Sequence, residues 1–245
     1  MSRLGWLTAR PIAHRGLHDI SAGIVENTAS AFHAAIAGNY GIETDLQISA
    51  DGEAMVHHDD ALGRLTEGSE RLAALAAAQI KAVRFKTGSD RILTLGELLE
   101  LVGGRVPLLL ELKSRFDGDR IVAKRVAAVL SNYPGPVAAM SFDPDPIETL
   151  AAIAPAITRG ITAERHYEWL PASKAARARL AFFLHAPRSR PQFIAYSARD
   201  LPSFAPSVAR RVFGLPILTW TVRSQAERAR ISPYADQIIF EHFIA

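Results

Sequence analysis

The chain has 245 residues, with 28 Lys and Arg against 25 Asp and Glu, a formal charge of +3 and 49% apolar residues. This is the composition of a globular domain, and it excludes disordered, collagen-like and low-complexity classes. The length suits one large α/β barrel of about 250 residues or two small domains. Cysteine is absent, which removes disulfides, thiolate metal sites and a Cys nucleophile and agrees with a reducing cytosol. The first residues show no apolar run of about 7–15 residues, so no signal peptide is expected. No segment offers the ~18 continuous apolar residues of a membrane span. The expected location is the cytoplasm.

Short apolar runs alternate with helical periodicities along the chain, the signature of βα units on a parallel sheet. Expected strands are Pro11–His14, Ile42–Ile48, Pro107–Leu112, Val137–Phe142, Ile157–Ile161, Phe193–Ser197, Ile217–Val222 and Gln237–Glu241. Expected helices are Thr28–Ala37, Gly118–Leu130, Asp145–Ala152, Pro171–Arg179, Val208–Phe213 and Gln225–Arg230. Asn27-Thr28 and Asp143-Pro144 read as helix starts. Ala50-Asp51-Gly52-Glu53 is a hairpin signal leading into a further extended run, Ala54–His58. Eight strands at this spacing imply an α/β fold of the closed (β/α)8 TIM-barrel type, since an open doubly wound sheet would want a Gly-rich loop after its first strand. Residues 59–104 read as a small helical insertion after the second strand, and residues 1–245 as a single domain.

Polar residues inside the apolar strands carry the chemistry. Glu43 and Asp45 lie two apart and share one face of their strand, and Glu111 and Lys113 do likewise. A single buried carboxylate is explained by an ion pair; three at barrel strand ends suit a hard divalent cation, Mg2+ or Ca2+. His14 and His58 each end an extended run, where barrel enzymes keep their chemistry, and only one of His57 and His58 can face the site. Arg15 and Lys113 add positive charge fit for a phosphate oxyanion. Two imidazoles, three carboxylates, an Arg and a Lys together suit cleavage of a phosphodiester.

Ala13-His14-Arg15-Gly16, Glu26-Asn27-Thr28, Ile42-Glu43-Thr44-Asp45, Met55-Val56-His57-His58-Asp59, Leu62-Gly63-Arg64-Leu65-Thr66, Leu110-Glu111-Leu112-Lys113, Ser141-Phe142-Asp143 and Thr219-Trp220-Thr221-Val222 follow in that order. This succession resembles the glycerophosphodiester phosphodiesterase family over nearly the whole chain. The resemblance implies a (β/α)8 barrel with a small insertion and a divalent cation on Glu43, Asp45 and Glu111. It also implies His14 and His58 as general base and acid in an order left open, and Arg15 and Lys113 on the phosphate. Glu26 would support the first loop, and Trp220 would line the glycerol end. The substrate would be a small glycerophosphodiester, and the products sn-glycerol 3-phosphate and an alcohol such as choline, ethanolamine or glycerol. Three departures bear on the pocket lining: Val25 stands where the family has Pro, Arg223 where it has Asn, and Ile239-Phe240-Glu241-His242 where its last strand ends in Thr-Asp.

Two other readings belong beside this one: a phospholipase D acting on lysophospholipids, and a barrel that binds phosphodiesters without turnover. Ten Arg between Arg177 and Arg230 form either an anion-attracting face or ordinary solvated helix surfaces. The second is preferred, because no aromatic interleaving accompanies them, and no nucleic-acid partner is expected. Self-association as a homo-oligomer stays open.

Overall fold

A computed structural model describes residues 4–245; Met1, Ser2 and Arg3 of the N-terminal stretch lie outside the described residues. In chain order the elements are α1 (Gly5–Thr8), β1 (Ile12–Ala13), α2 (Ala29–Ala37), β2 (Gly41–Ile48), β3 (Ala54–Val56), α3 (Ala77–Ala82), α4 (Leu95–Val102), β4 (Leu108–Leu112) and α5 (Ile121–Leu130). There follow β5 (Val137–Ser141), α6 (Pro144–Ile153), β6 (Thr158–Ala163), α7 (Lys174–Ala181), α8 (Ala186–Ser189), β7 (Phe193–Ser197), α9 (Phe204–Arg211), β8 (Ile217–Val222), α10 (Gln225–Ile231) and β9 (Gln237–Phe240). All strands but β3 run parallel, and β1 pairs with both β2 and β9, which closes an eight-stranded barrel. β3 pairs antiparallel with the end of β2, as the Asp51-Gly52 hairpin requires.

Pleat alternation divides the apolar residues of each strand between two cores. Ile12, Leu109, Ala138, Met140, Phe193, Ala195, Leu218 and Ile239 share an inner cluster with Leu7 of α1. Ala13, Ile42, Leu46, Leu108, Leu110, Ile194, Ile217 and Phe240 share the outer cluster with helix residues such as Phe32, Val126 and Ile147. The inner cluster fills the barrel as a packed layer, so only its strand ends are free to hold polar groups. Gly160 on β6 is needed here, because a Cβ would stand 2.4 Å from the Phe193 ring.

The stretch 59–104 divides in two. Leu95, Leu98, Leu99 and Val102 of α4 join the main outer core, so α4 is a helix of the barrel ring. The rest is the excursion proper, and it gathers Val25, Met55, Leu62, Leu72, Ile80, Phe85 and Ile92 into a satellite core of its own. Helix starts follow capping chemistry: Thr28 accepts from the Ala31 N–H, and Asp143 accepts from the Asp145 N–H with Pro144 next in line. Among the described residues no helix is long and apolar enough to cross a membrane.

Candidate active site

Strand register assembles the site. Ile12 stands beside Ile239 and Ala13 beside Phe240, so the next inward positions, His14 and Glu241, meet across the closure of the barrel. His14 Nδ1 lies 2.5 Å from Glu241 Oε2. On β2 the inward residues after Gly41 are Glu43 and Asp45, and Asp45 is the register partner of Glu111 on β4. All three carboxylates are buried, and each offers an oxygen within 4.8 Å of the others. Lys113, one pleat beyond Glu111, places Nζ 2.7 Å from Asp45 Oδ1 and 2.5 Å from Glu111 Oε1.

The loop after β1 is shaped by backbone as much as by side chains. Arg15 and Asn27 have φ of 55° and 57°, in the left-handed region, and such conformations in non-glycine residues are held only by their surroundings. Gly16, at φ 77°, passes so close to α2 that a Cβ would lie 2.8 Å from that of Ala31. The Arg15 N–H donates to Glu43 Oε2 at 3.1 Å, its Nη1 donates to Glu26 Oε1 at 2.7 Å, and its Nε lies 3.4 Å from Asp45 Oδ2. Glu26 is gripped from the other side by Arg64, which also holds Asp59. Asp59 Oδ1 in turn lies 2.8 Å from Nδ1 of His58.

Burial sets the proton affinities, and neighbours then decide their direction. Burial, with Asp45 and Glu111 beside it, pushes the Glu43 carboxyl well above the usual range. Burial works in the same sense on Asp45, but Lys113, His58 and Arg15 hold its carboxyl far below that range. Burial lowers the His14 imidazole against the pull of Glu241. Glu241 itself is held well down by hydrogen bonds from His14 and His18, despite its own desolvation. The raised Glu43 marks negative charge that Lys113 and Arg15 leave uncompensated, and the donors are all carboxylate oxygens. This set fits a hard divalent cation.

Next to the carboxylates opens a cavity of about 780 Å³. His58, Glu111, Lys113 and Trp220 line it, whereas His14, Arg15, Glu26, Glu43 and Asp45 do not; Asp45 is joined to the lining by Lys113, and Glu26 by Arg64 and Asp59. His57 is buried with its N–H on the Asp45 carbonyl, and His58 is the histidine that reaches the cavity. Glu241 and Asn27 went unassigned at this site in the sequence. The inward alternation Ile239-Phe240-Glu241 was the available signal for the first. Asn27, read as part of a helix cap, instead donates to Asp45 Oδ2 at 2.9 Å and accepts from Thr44.

The profile of the glycerophosphoryl diester phosphodiesterase family matches residues 14–244. The chain belongs to that family. A glycerophosphodiester phosphodiesterase of Caldanaerobacter subterraneus subsp. tengcongensis is similar to this family member, with 38% identity over 42% of the chain and 44% of the relative. The match thus spans less than half the length of that relative. Among solved structures of the barrel, an Oleispira antarctica phosphodiesterase in complex with sn-glycerol-3-phosphate superposes with a TM-score of 0.77 at 20% identity, over 96% of this chain and 94% of that one. A Thermotoga maritima glycerophosphodiester phosphodiesterase superposes with a TM-score of 0.70 at 24% identity, over 94% and 92%. At these identities the structures support the fold of this family member.

Proposed function

We propose that the chain hydrolyses small glycerophosphodiesters to sn-glycerol 3-phosphate and an alcohol, with a divalent cation, Mg2+ or Ca2+, held by Glu43, Asp45 and Glu111. The carrying observation is the buried inward triad of carboxylates, with His14 Nε2 3.9 Å from Glu43 and His58 tied to Asp45 through Asp59, Arg64, Glu26 and Arg15. When bound, such a cation offsets phosphoryl charge and favours ionisation of a coordinated hydroxyl. Arg15 and Lys113 lie against the same carboxylates and add charge for the phosphate. His14 serves as base: burial keeps its imidazole neutral, Glu241 engages Nδ1, and Nε2 lies 3.9 Å from Glu43 Oε2 on the site side. His58 serves as acid toward the leaving alkoxide from the cavity wall, with Asp59 on its Nδ1. Glu26 restrains the guanidinium of Arg15, and Trp220, whose indole N–H donates to the Ala195 carbonyl at 3.0 Å, lines the glycerol end.

We further infer that residues 1–245 act as one catalytic domain in the cytoplasm, in keeping with the absence of cysteine. The test is turnover of glycerophosphodiesters by His14→Ala and His58→Ala proteins that retain native circular dichroism. Loss of about 10²-fold or more in both supports the two roles. Undiminished activity in either removes that residue from the mechanism.

A further inference from the structure

The outer end of the cavity has a chemistry that phosphate binding does not use. Phe116, Phe142, Trp169 and Trp220 all line it. Phe142 stands nearly perpendicular to Trp169 (88°, centroids 5.7 Å apart) and to Trp220 (79°, 5.4 Å). Phe116 meets Trp169 at 64° and 6.0 Å. Walls set this way leave right-angled corners lined by ring faces, and ring faces carry the negative part of the aromatic quadrupole. Trp169 stays 54% exposed, so packing against its neighbours leaves much of the indole uncovered.

Glu164, just past the end of β6, lines the same corner and accepts a hydrogen bond from the Trp169 indole N–H. Among the described residues it makes no ion pair with Lys, Arg or His, and burial raises its carboxyl above the usual range. The cations of this end are already engaged: Arg115 and Arg71 both lie on Asp60, and Lys113 lies between Asp45 and Glu111. What remains is aromatic and negative.

We propose that this corner holds the leaving alcohol of the substrate as a quaternary ammonium of the choline type, with Trp169 and Phe142 against its methyl groups and Glu164 as counter-charge. The inference rests on the hydrolysis proposed above. A methylated cation is weakly hydrated and suits ring faces, whereas a primary ammonium wants three oxygen acceptors and gains little from such faces. An acyl chain would be poorly served, because it would bury Glu164 without a counter-charge.

The test compares kcat/KM for glycerophosphocholine, glycerophosphoethanolamine and glycerophosphoglycerol, alongside calorimetric titration with tetramethylammonium. The choline ester is expected to lead both others by at least about tenfold, and Trp169→Ala to bring the ratios to within about threefold. Glu164→Gln is expected to lower the choline preference in the same direction. Tetramethylammonium should bind saturably to the wild type and lose binding in Trp169→Ala. Equal kcat/KM for the three esters, or a preference untouched by Trp169→Ala, overturns the proposal while leaving the hydrolysis standing. If none of the esters is turned over, the hydrolysis fails instead, and the titration decides the corner alone: binding lost in Trp169→Ala supports it, and no binding overturns it.

Discussion

His14 and Glu241 are 227 residues apart in the chain and 2.5 Å apart at Nδ1 and Oε2. Their pairing is a direct consequence of barrel closure, because β1 and β9 run in register and both positions point inward. A carboxylate on the far nitrogen fixes tautomer and ring orientation and stabilises the imidazolium that forms when the near nitrogen takes a proton. Arg223 and His18 crowd the same carboxylate, which keeps it charged.

Glu241→Gln should therefore lower kcat by about 10–100-fold with a much smaller change in KM, since the amide can still accept from Nδ1–H but carries no charge. Steady-state kinetics on protein with native circular dichroism check this. A kcat within about twofold of wild type would show that Glu241 is a bystander.

The three buried carboxylates repel one another, and a bound cation relieves that. Mg2+ or Ca2+ at about 100-fold over its Kd should stabilise the fold by ~2.7 kcal/mol, or roughly 5–10 °C in Tm for a chain of this size. Glu43→Gln should raise the Tm of the cation-free protein and shrink the cation-induced shift. Differential scanning fluorimetry with and without EDTA reads both.

His185 supplies a pH effect remote from the chemistry. Burial lowers its pKa from 6.5 to about 4, with Nε2 buried and unpartnered and Nδ1 facing Ser189 at 3.0 Å. The unfolded chain thus binds the extra proton between these values. Stability is full above about pH 6.5 and falls by up to roughly 3 kcal/mol as pH drops toward 4. Urea unfolding across that range should show the loss, and His185→Gln should flatten it.

Leu98 is fully buried in the main core and Ile80 in the satellite core. Leu98→Ala should cost the whole fold about 2–5 kcal/mol. Ile80→Ala should open the excursion locally, visible as faster amide exchange there at smaller global cost. Equal global losses would show that the two cores unfold as one.

Strands β7 and β8 were legible to the residue, because a barrel strand covered on both faces reads as a continuous apolar run between breakers. The start of α9 was not: Val208–Phe213 was expected and Phe204–Arg211 is found, since Pro206 in the first turn obscures the periodicity and Val212 and Phe213 are exposed. The carboxylates and histidines were legible as polar residues ending apolar runs. Glu241 and Asn27 were not, because their partners, His14 and Asp45, are supplied by tertiary closure. Phe116, Phe142 and Trp169 give no periodic signal, since three separate loops bring them together.

The most direct test of the central claim is release of sn-glycerol 3-phosphate from a mixed glycerophosphodiester pool, with Mg2+ or Ca2+ and with EDTA, for wild type and Glu111→Gln. Cation-dependent release that EDTA abolishes and Glu111→Gln reduces by about 10²-fold or more is the predicted result. Release that persists undiminished in EDTA, or no release with either cation from folded protein, would contradict it.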